Sequence, residues 1–261
     1  MVLVFAIRFL EKIGQVFISF LNAIGDVGIF LFNSLLAGIR PPYYWKQIAQ
    51  QSLQIGYFSL PVVGMTALFT GIAMALQCYV GFSEFTAEAA IPSVVLIAMT
   101  RELGPVLTAL MVAGRLGASM TAEIGTMRVT EQIDALTTLS VNSHKYLVFP
   151  RLLTGSLLLP FLVFVDDVIG ILGGYIVGVY YLGFNSSNYI HNTFTSMNTW
   201  DVISGLLKGA AFGFTICLMG CYHGYASQRG AEGVGRATTN SVVASSILIL
   251  LLDCILTFFL F

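Results

Sequence analysis

Residues Tyr57 to Tyr79 pass without a single charged side chain. At the helical rise of about 1.5 Å per residue, that run crosses the roughly 30 Å hydrocarbon core of a bilayer. Lipid offers no partners to backbone N–H and C=O groups, so such a run must fold as a helix that satisfies them internally. Four more runs follow: 91–112, which contains Arg101-Glu102; 152–182, which is interrupted by Pro160, Asp166 and Asp167 and reads as a tilted or kinked helix; 202–225; and 242–261. The fold class is therefore all-α, a polytopic membrane protein with five transmembrane helices. Composition agrees, with 57% hydrophobic and 10% charged residues against roughly 25% charged in soluble domains. The 26 glycines suit close helix packing in lipid. A formal net charge of -1 excludes a basic surface for nucleic acid.

Few polar residues interrupt the first 45 positions. Arg8, Glu11, Lys12, Gln15, Ser19 and Asn22 recur every three to four residues, which predicts an amphipathic helix lying in the membrane interface. A second short apolar stretch, Ile29 to Ile39, ends at Pro41-Pro42, and Tyr43, Tyr44, Trp45 and Lys46 follow as a headgroup-region group. The chain thus divides into an interfacial N-terminal part, 1–45, and a spanning part, 46–261. Lys and Arg fix the orientation. Ten of the twelve lie on one side: Arg8, Lys12, Arg40 and Lys46; Arg115, Arg128, Lys145 and Arg151 in the central loop 115–151; and Arg229 and Arg236. The intervening loops, including the one carrying Glu84 and Glu88, hold none. The N-terminus and central loop are expected to be cytoplasmic, and the C-terminus beyond the membrane. A signal peptide is disfavoured because charges interrupt the apolar run, and the missing transit peptide favours a bacterial inner membrane over a plastid envelope.

An ionisable group at membrane depth must be paired or line a polar cavity, which makes Arg101, Glu102, Lys208 and Asp253 the candidates for a buried network, with helix-to-helix glue as the bland alternative. Asp166 and Asp167 stand apart, because their helix is expected to bring them near the far interface. Gly170, Gly174 and Gly178, and again Gly205, Gly209 and Gly213, form small-xxx-small stripes, within one chain or between two copies. In the central loop Thr130 is a candidate N-cap, with Glu131 and Asp134 in the first turn that follows, suggesting short helices along the membrane that could dock a soluble partner. The cysteines read as small apolar residues. Cys217 and Cys221 lie one turn apart near His223, but further metal ligands are missing.

The run Thr100-Arg-Glu-Leu-Gly-Pro-Val-Leu-Thr-Ala-Leu-Met-Val-Ala-Gly-Arg-Leu-Gly-Ala-Ser-Met-Thr-Ala-Glu-Ile-Gly-Thr-Met-Arg-Val-Thr-Glu-Gln-Ile-Asp-Ala-Leu136 closely resembles the MlaE (YrbE) family of ABC transporter permeases, to which the plastid lipid-import permease is related. The similarity continues through Pro150-Arg151, Gly173-Gly174, Gly233-Val-Gly-Arg-Ala-Thr-Thr239 and Leu252-Asp253. The resemblance implies a homodimeric permease that moves phospholipid between membranes, with a cytoplasmic ATPase and an MCE-domain lipid-binding protein on the periplasmic side. It also implies a coupling helix at about Glu123 to Leu139, including Arg128, Glu131 and Asp134. The family's membrane charges map onto Glu102, Lys208 and Asp253, with Arg101 beside the first. Its lipid pocket, between the two copies, maps near Leu68, Ile72, Leu76, Tyr79 and Leu103.

Other classes have signatures of their own. None of the four lysines follows a glycine, so the chain carries no P-loop, and ATP must be hydrolysed by another subunit. Gly230-Ala-Glu-Gly-Val-Gly235 has the wrong spacing for a phosphate loop and reads as a flexible connection, 227–240, before the last span. A gradient-driven transporter or channel is the alternative, using Glu102, Lys208 and Asp253 as a proton relay. An intramembrane enzyme is disfavoured because His144, His191 and His223 lie in loops or near a span end. No cofactor or metal is called for.

Overall fold

The computed structural model describes residues 2–39, 41, 43–83 and 88–261, with only the backbone for 2–11, 13, 16, 20, 39, 83 and 88. Arg40, Pro42 and Glu84, and the side chains of Arg8, Glu11 and Glu88, lie outside the described residues. The described chain is helical throughout, without strands. We label the helices α1 (Val2–Ile39), α2 (Trp45–Ile55), α3 (Leu60–Ser83), α4 (Ile91–Val129), α5 (Gln132–Thr138), α6 (His144–Tyr181), α7 (Ser186–Ser196), α8 (Thr199–Tyr225) and α9 (Ala231–Leu260). The five expected spans sit in α3, α4, α6, α8 and α9. A sixth stretch, Phe17–Gly38 of α1, is also long and apolar enough to cross a membrane.

Small residues decide how the spans meet. A Cβ added at Gly71 would collide with the carbonyl of Gly170, and one at Gly213 with the carbonyl of Gly155. These two contacts bring α3 and α8 against α6. Gly205 lies against the carbonyl of Thr100 in α4, and Gly209 lies 3.3 Å from the Cα of Pro160 by the same measure. Both glycine stripes therefore join helices within one chain, which spacing alone had left open. Lipid tails give helices no hydrophobic reason to associate, so this close van der Waals contact does the joining. Pro61 and Pro92 stand at the second position of α3 and α4, where a missing N–H breaks no helical bond. α7 and α8 start at Asn185 and Asn198, whose side chains accept from the N–H groups of Ser187 and Asn188, and of Trp200.

Several boundaries differ from the sequence reading. α1 is one helix where two segments are expected. Among the described residues it packs on the bundle in its C-terminal half, where Phe30 packs on His144, Tyr222 and Tyr225, and Ser34 meets His144 Nδ1 at 3.0 Å. α4 does not stop at residue 112 but runs on into the central loop through two π-turns, Met99–Leu103 and Ala113–Gly117. Thr130 is not an N-cap: it closes the end of α4, and its hydroxyl donates back to the carbonyl of Thr126 at 2.8 Å. The break falls at Glu131, held in the left-handed region at φ 61°. The β-branched pair Val129-Thr130, weak in helices, immediately precedes it. The glycine-rich connection shrinks, because α9 begins at Ala231 after Gly230, which adopts φ 93°. The polar 183–201 region contains the unexpected α7, whose Tyr189 is buried against Gly178.

Candidate functional site

The π-turn at Met99–Leu103 carries Arg101 and Glu102 and is followed at once by Gly104-Pro105. Proline has no N–H, so the carbonyl four residues earlier, Arg101 O, loses its helical donor. Lys208 of α8 takes that place, donating from Nζ to Arg101 O at 2.9 Å. The same ammonium donates to Thr257 Oγ1 at 2.7 Å and makes ion pairs at 2.9 Å with Glu102 Oε1 and with Asp253 Oδ1. The Asp253 contact is a charge contact rather than an aligned hydrogen bond. Thr257, one turn beyond Asp253 on α9, brings its hydroxyl 3.0 Å from Glu102 Oε1 and 2.8 Å from the carbonyl of Asp253.

The Lys208 side chain is 0% exposed, whereas that of Glu102 is 40% exposed. The cluster thus has a closed cationic centre and an open carboxylate edge. Arg101 is not part of this centre. Its side chain turns toward the first turn of α8, pairing with Asp201 at 2.8 Å and 2.9 Å, while its guanidinium carbon lies 4.2 Å from the centre of the Phe261 ring. Sequence reasoning missed Asp201 and Thr257. The signals for them were local: an acidic residue in the first turn after Asn198, and a hydroxyl at i+4 from Asp253. Two cations therefore face three carboxylates, rather than the balanced foursome suggested by the sequence.

On the central-loop side, the four expected coupling residues separate. Glu123 stays exposed and pairs with Arg151 at 2.9 Å; Arg151, only 3% exposed, also donates to the carbonyl of Leu147 at 2.8 Å. Arg128 and Asp134 pair at 2.8 Å across the break at Glu131. Arg128, Glu131 and Asp134 line a cavity of about 280 Å³ together with the turn Ser227, Gln228 and Arg229.

Leu68, Ile72, Leu76 and Tyr79 form a stripe at i+4 and i+3 spacing along α3, all half-buried, as is Leu103. Tyr79 and Leu103 flank the apolar group Ala75, Cys78, Ile91, Val95 and Met99. Four cavities stand out in the described chain, and none is lined by any of these five residues. Asp166 and Asp167, in the second half of α6, are 1% and 4% exposed, turned into the helix bundle, and none of their carboxylate oxygens has a hydrogen-bond partner among the described residues.

The fold and its charge cluster define a polytopic, all-helical membrane protein with a polar interior. Residues 48–259 match the family described as Permease MlaE, and the chain belongs to the MlaE permease family. It is 55% identical, over 95% of each chain, to a probable ABC transporter permease protein of Rickettsia bellii. It is 34% identical, over 98% of each chain, to the intermembrane phospholipid transport system permease protein MlaE of Haemophilus influenzae, and 39% identical, over 88% of each, to the probable ABC transporter permease protein ycf63 of Porphyra purpurea.

Proposed function

We propose that this chain is the membrane subunit of an ABC transporter that moves phospholipid between membranes, working as a homodimer with a separate cytoplasmic ATPase and an MCE-domain lipid-binding protein. The observation that carries the reading is its likeness, over almost the whole of both chains, to a permease named for intermembrane phospholipid transport. In this reading residues 46–261 form the permease and residues 1–45 an interfacial helix. Among the described residues, the contacts of α1 with the bundle gather around His144, Phe149 and Tyr222 to Tyr225, toward its C-terminal end, which supports lying along the surface over crossing beside the spans.

The protein resides in a bacterial inner membrane, with the N-terminus and central loop cytoplasmic and the C-terminus periplasmic. The break at Glu131, with Arg128 and Asp134, receives the ATPase. The exposed edge of Glu102 and the stripe Leu68, Ile72, Leu76, Tyr79 and Leu103 face the lipid path between two copies. The bare apolar face of α9, including Ile247, Leu250, Leu251 and Phe258, is available to lipid or to the second copy.

Purification from native membranes, with mass spectrometry of attached proteins and lipids, tests this. An ATPase, an MCE-domain protein and phospholipid should accompany a dimer. Recovery of a monomer without an ATPase would overturn the reading, and lipid transfer that ignores nucleotide but follows an ion gradient would install the secondary-transporter alternative.

A further inference from the structure

The unpartnered carboxylates of Asp166 and Asp167 lie on consecutive residues of α6 and converge on Gly104 of α4. A methyl group at Gly104 would strike Asp167 Oδ1 and come 3.3 Å from Asp166 Oδ2 and 2.7 Å from the carbonyl of Met99. One turn along the same face of α4, Thr108 is 0% exposed, and its hydroxyl faces Asp166 without closing a hydrogen bond. Three buried side chains on two helices thus present oxygens to one another with no partner among the described residues.

Nearby cations do not resolve this. The α3 stretch packed here, Val63 to Gly71, contains no titratable side chain. On α4, Arg101 is committed to Asp201 and Glu102 to Lys208; on α8, Asp201 and Lys208 are committed to those same partners. Two bare carboxylates in a low-dielectric interior repel each other and lack solvation, a combination that buried carboxyls relieve by taking up a proton. A proton needs no cavity, which suits side chains this enclosed. A metal ion would need ligands that are missing: no group of three or more acidic, histidine or cysteine side chains able to hold one occurs among the described residues.

We propose that Asp166, Asp167 and Thr108 form a proton-binding site inside the bundle, in which at least one carboxylic acid proton is held between α4 and α6 at neutral pH and supplies the hydrogen bonding that the bare carboxylates lack. Its release places charge in the seam at Gly104 and draws water between the two helices. The site is separate from the Lys208 cluster and does not depend on the transport reading.

Infrared spectroscopy of the full chain in phospholipid nanodiscs tests the proposal. At neutral pH the wild type should show a carboxylic acid carbonyl band that is retained in Glu102→Gln, weakened in Asp166→Asn or Asp167→Asn, and lost in the double variant. Asparagine mimics the shape of the neutral acid, so the single variants should fold and report even if the double one does not. The unfolded chain releases the proton readily, so wild-type thermal stability should fall by several degrees from neutral to alkaline pH, while the double variant stays flat. Absence of the acid band in the wild type, its survival in both single variants at full strength, or its removal by sodium, potassium or calcium at constant pH would overturn the proposal.

Discussion

Lys208 is the residue on which the charge cluster closes, since it alone touches Glu102, Asp253, Thr257 and the carbonyl exposed by Pro105. Removing one partner of a buried pair leaves uncompensated charge, typically at about 3 kcal/mol or more. Lys208→Met should therefore lower unfolding stability in detergent by about 3 kcal/mol, toward the low end of that range because Glu102 is partly exposed, and should abolish lipid transfer. Glu102→Gln keeps the packing and separates the two effects: transfer should fall while stability holds. A second residue test lies at Glu131, whose left-handed backbone is strained by roughly 1 kcal/mol for a side chain other than glycine. Glu131→Gly should be stabilising by about that amount in thermal unfolding, whereas Glu131→Lys should leave membrane insertion intact and reduce ATPase recovered on purification. Equal ATPase recovery with Glu131→Lys would remove Glu131 from the docking surface.

At the level of elements, the seams between α6 and its neighbours depend on residues without side chains. Gly213→Leu would push Cβ into the carbonyl of Gly155 and separate α6 from α8. Overpacking of this kind typically destabilises by about 1–3 kcal/mol, and the blocking atom here is backbone, so the effect belongs at the upper end; the monodisperse fraction in size-exclusion chromatography should collapse. Gly235→Leu, in open space on α9, is the matched control and should elute like wild type. The same elements show what a sequence can reveal. Charge-free runs and glycine stripes were legible because each reports on one helix at a time, and lipid permits few other structures. Helix ends were less so: α4 and α9 extend through Arg115 to Val129 and through Gly233-Gly235, where polarity and glycine imitate a loop although the backbone continues as helix. Of the charge cluster, Glu102, Lys208 and Asp253 were legible from their depth in the membrane. Asp201 and the pairing of Glu123 with Arg151 were not, because which carboxylate an arginine reaches depends on how three helices are rotated about their axes, and spacing does not encode that.

Across the whole molecule, the charged features lie at two levels. The Lys208 cluster is near one end of α4, and the Glu131 break follows its other end. α4 has 39 residues, about 58 Å of helix, and the distance along it from Glu102 to Arg128 is about 39 Å. Lengthening or softening this connection should separate ATP hydrolysis from transport in the assembled transporter: with Leu110→Gly and Met111→Gly together, hydrolysis should persist while lipid delivered per ATP declines, and an unchanged ratio would mean that the two levels communicate by another route. The two π-turns give this connection its mechanical character. Each is a place where the helix is wound more loosely, one carrying Glu102 and one carrying Arg115. α4 thus resembles a connecting rod with a joint at either end of its tightly wound middle segment, 104–112: one joint carries the Glu102 carboxylate, and the other lies on the way to Arg128.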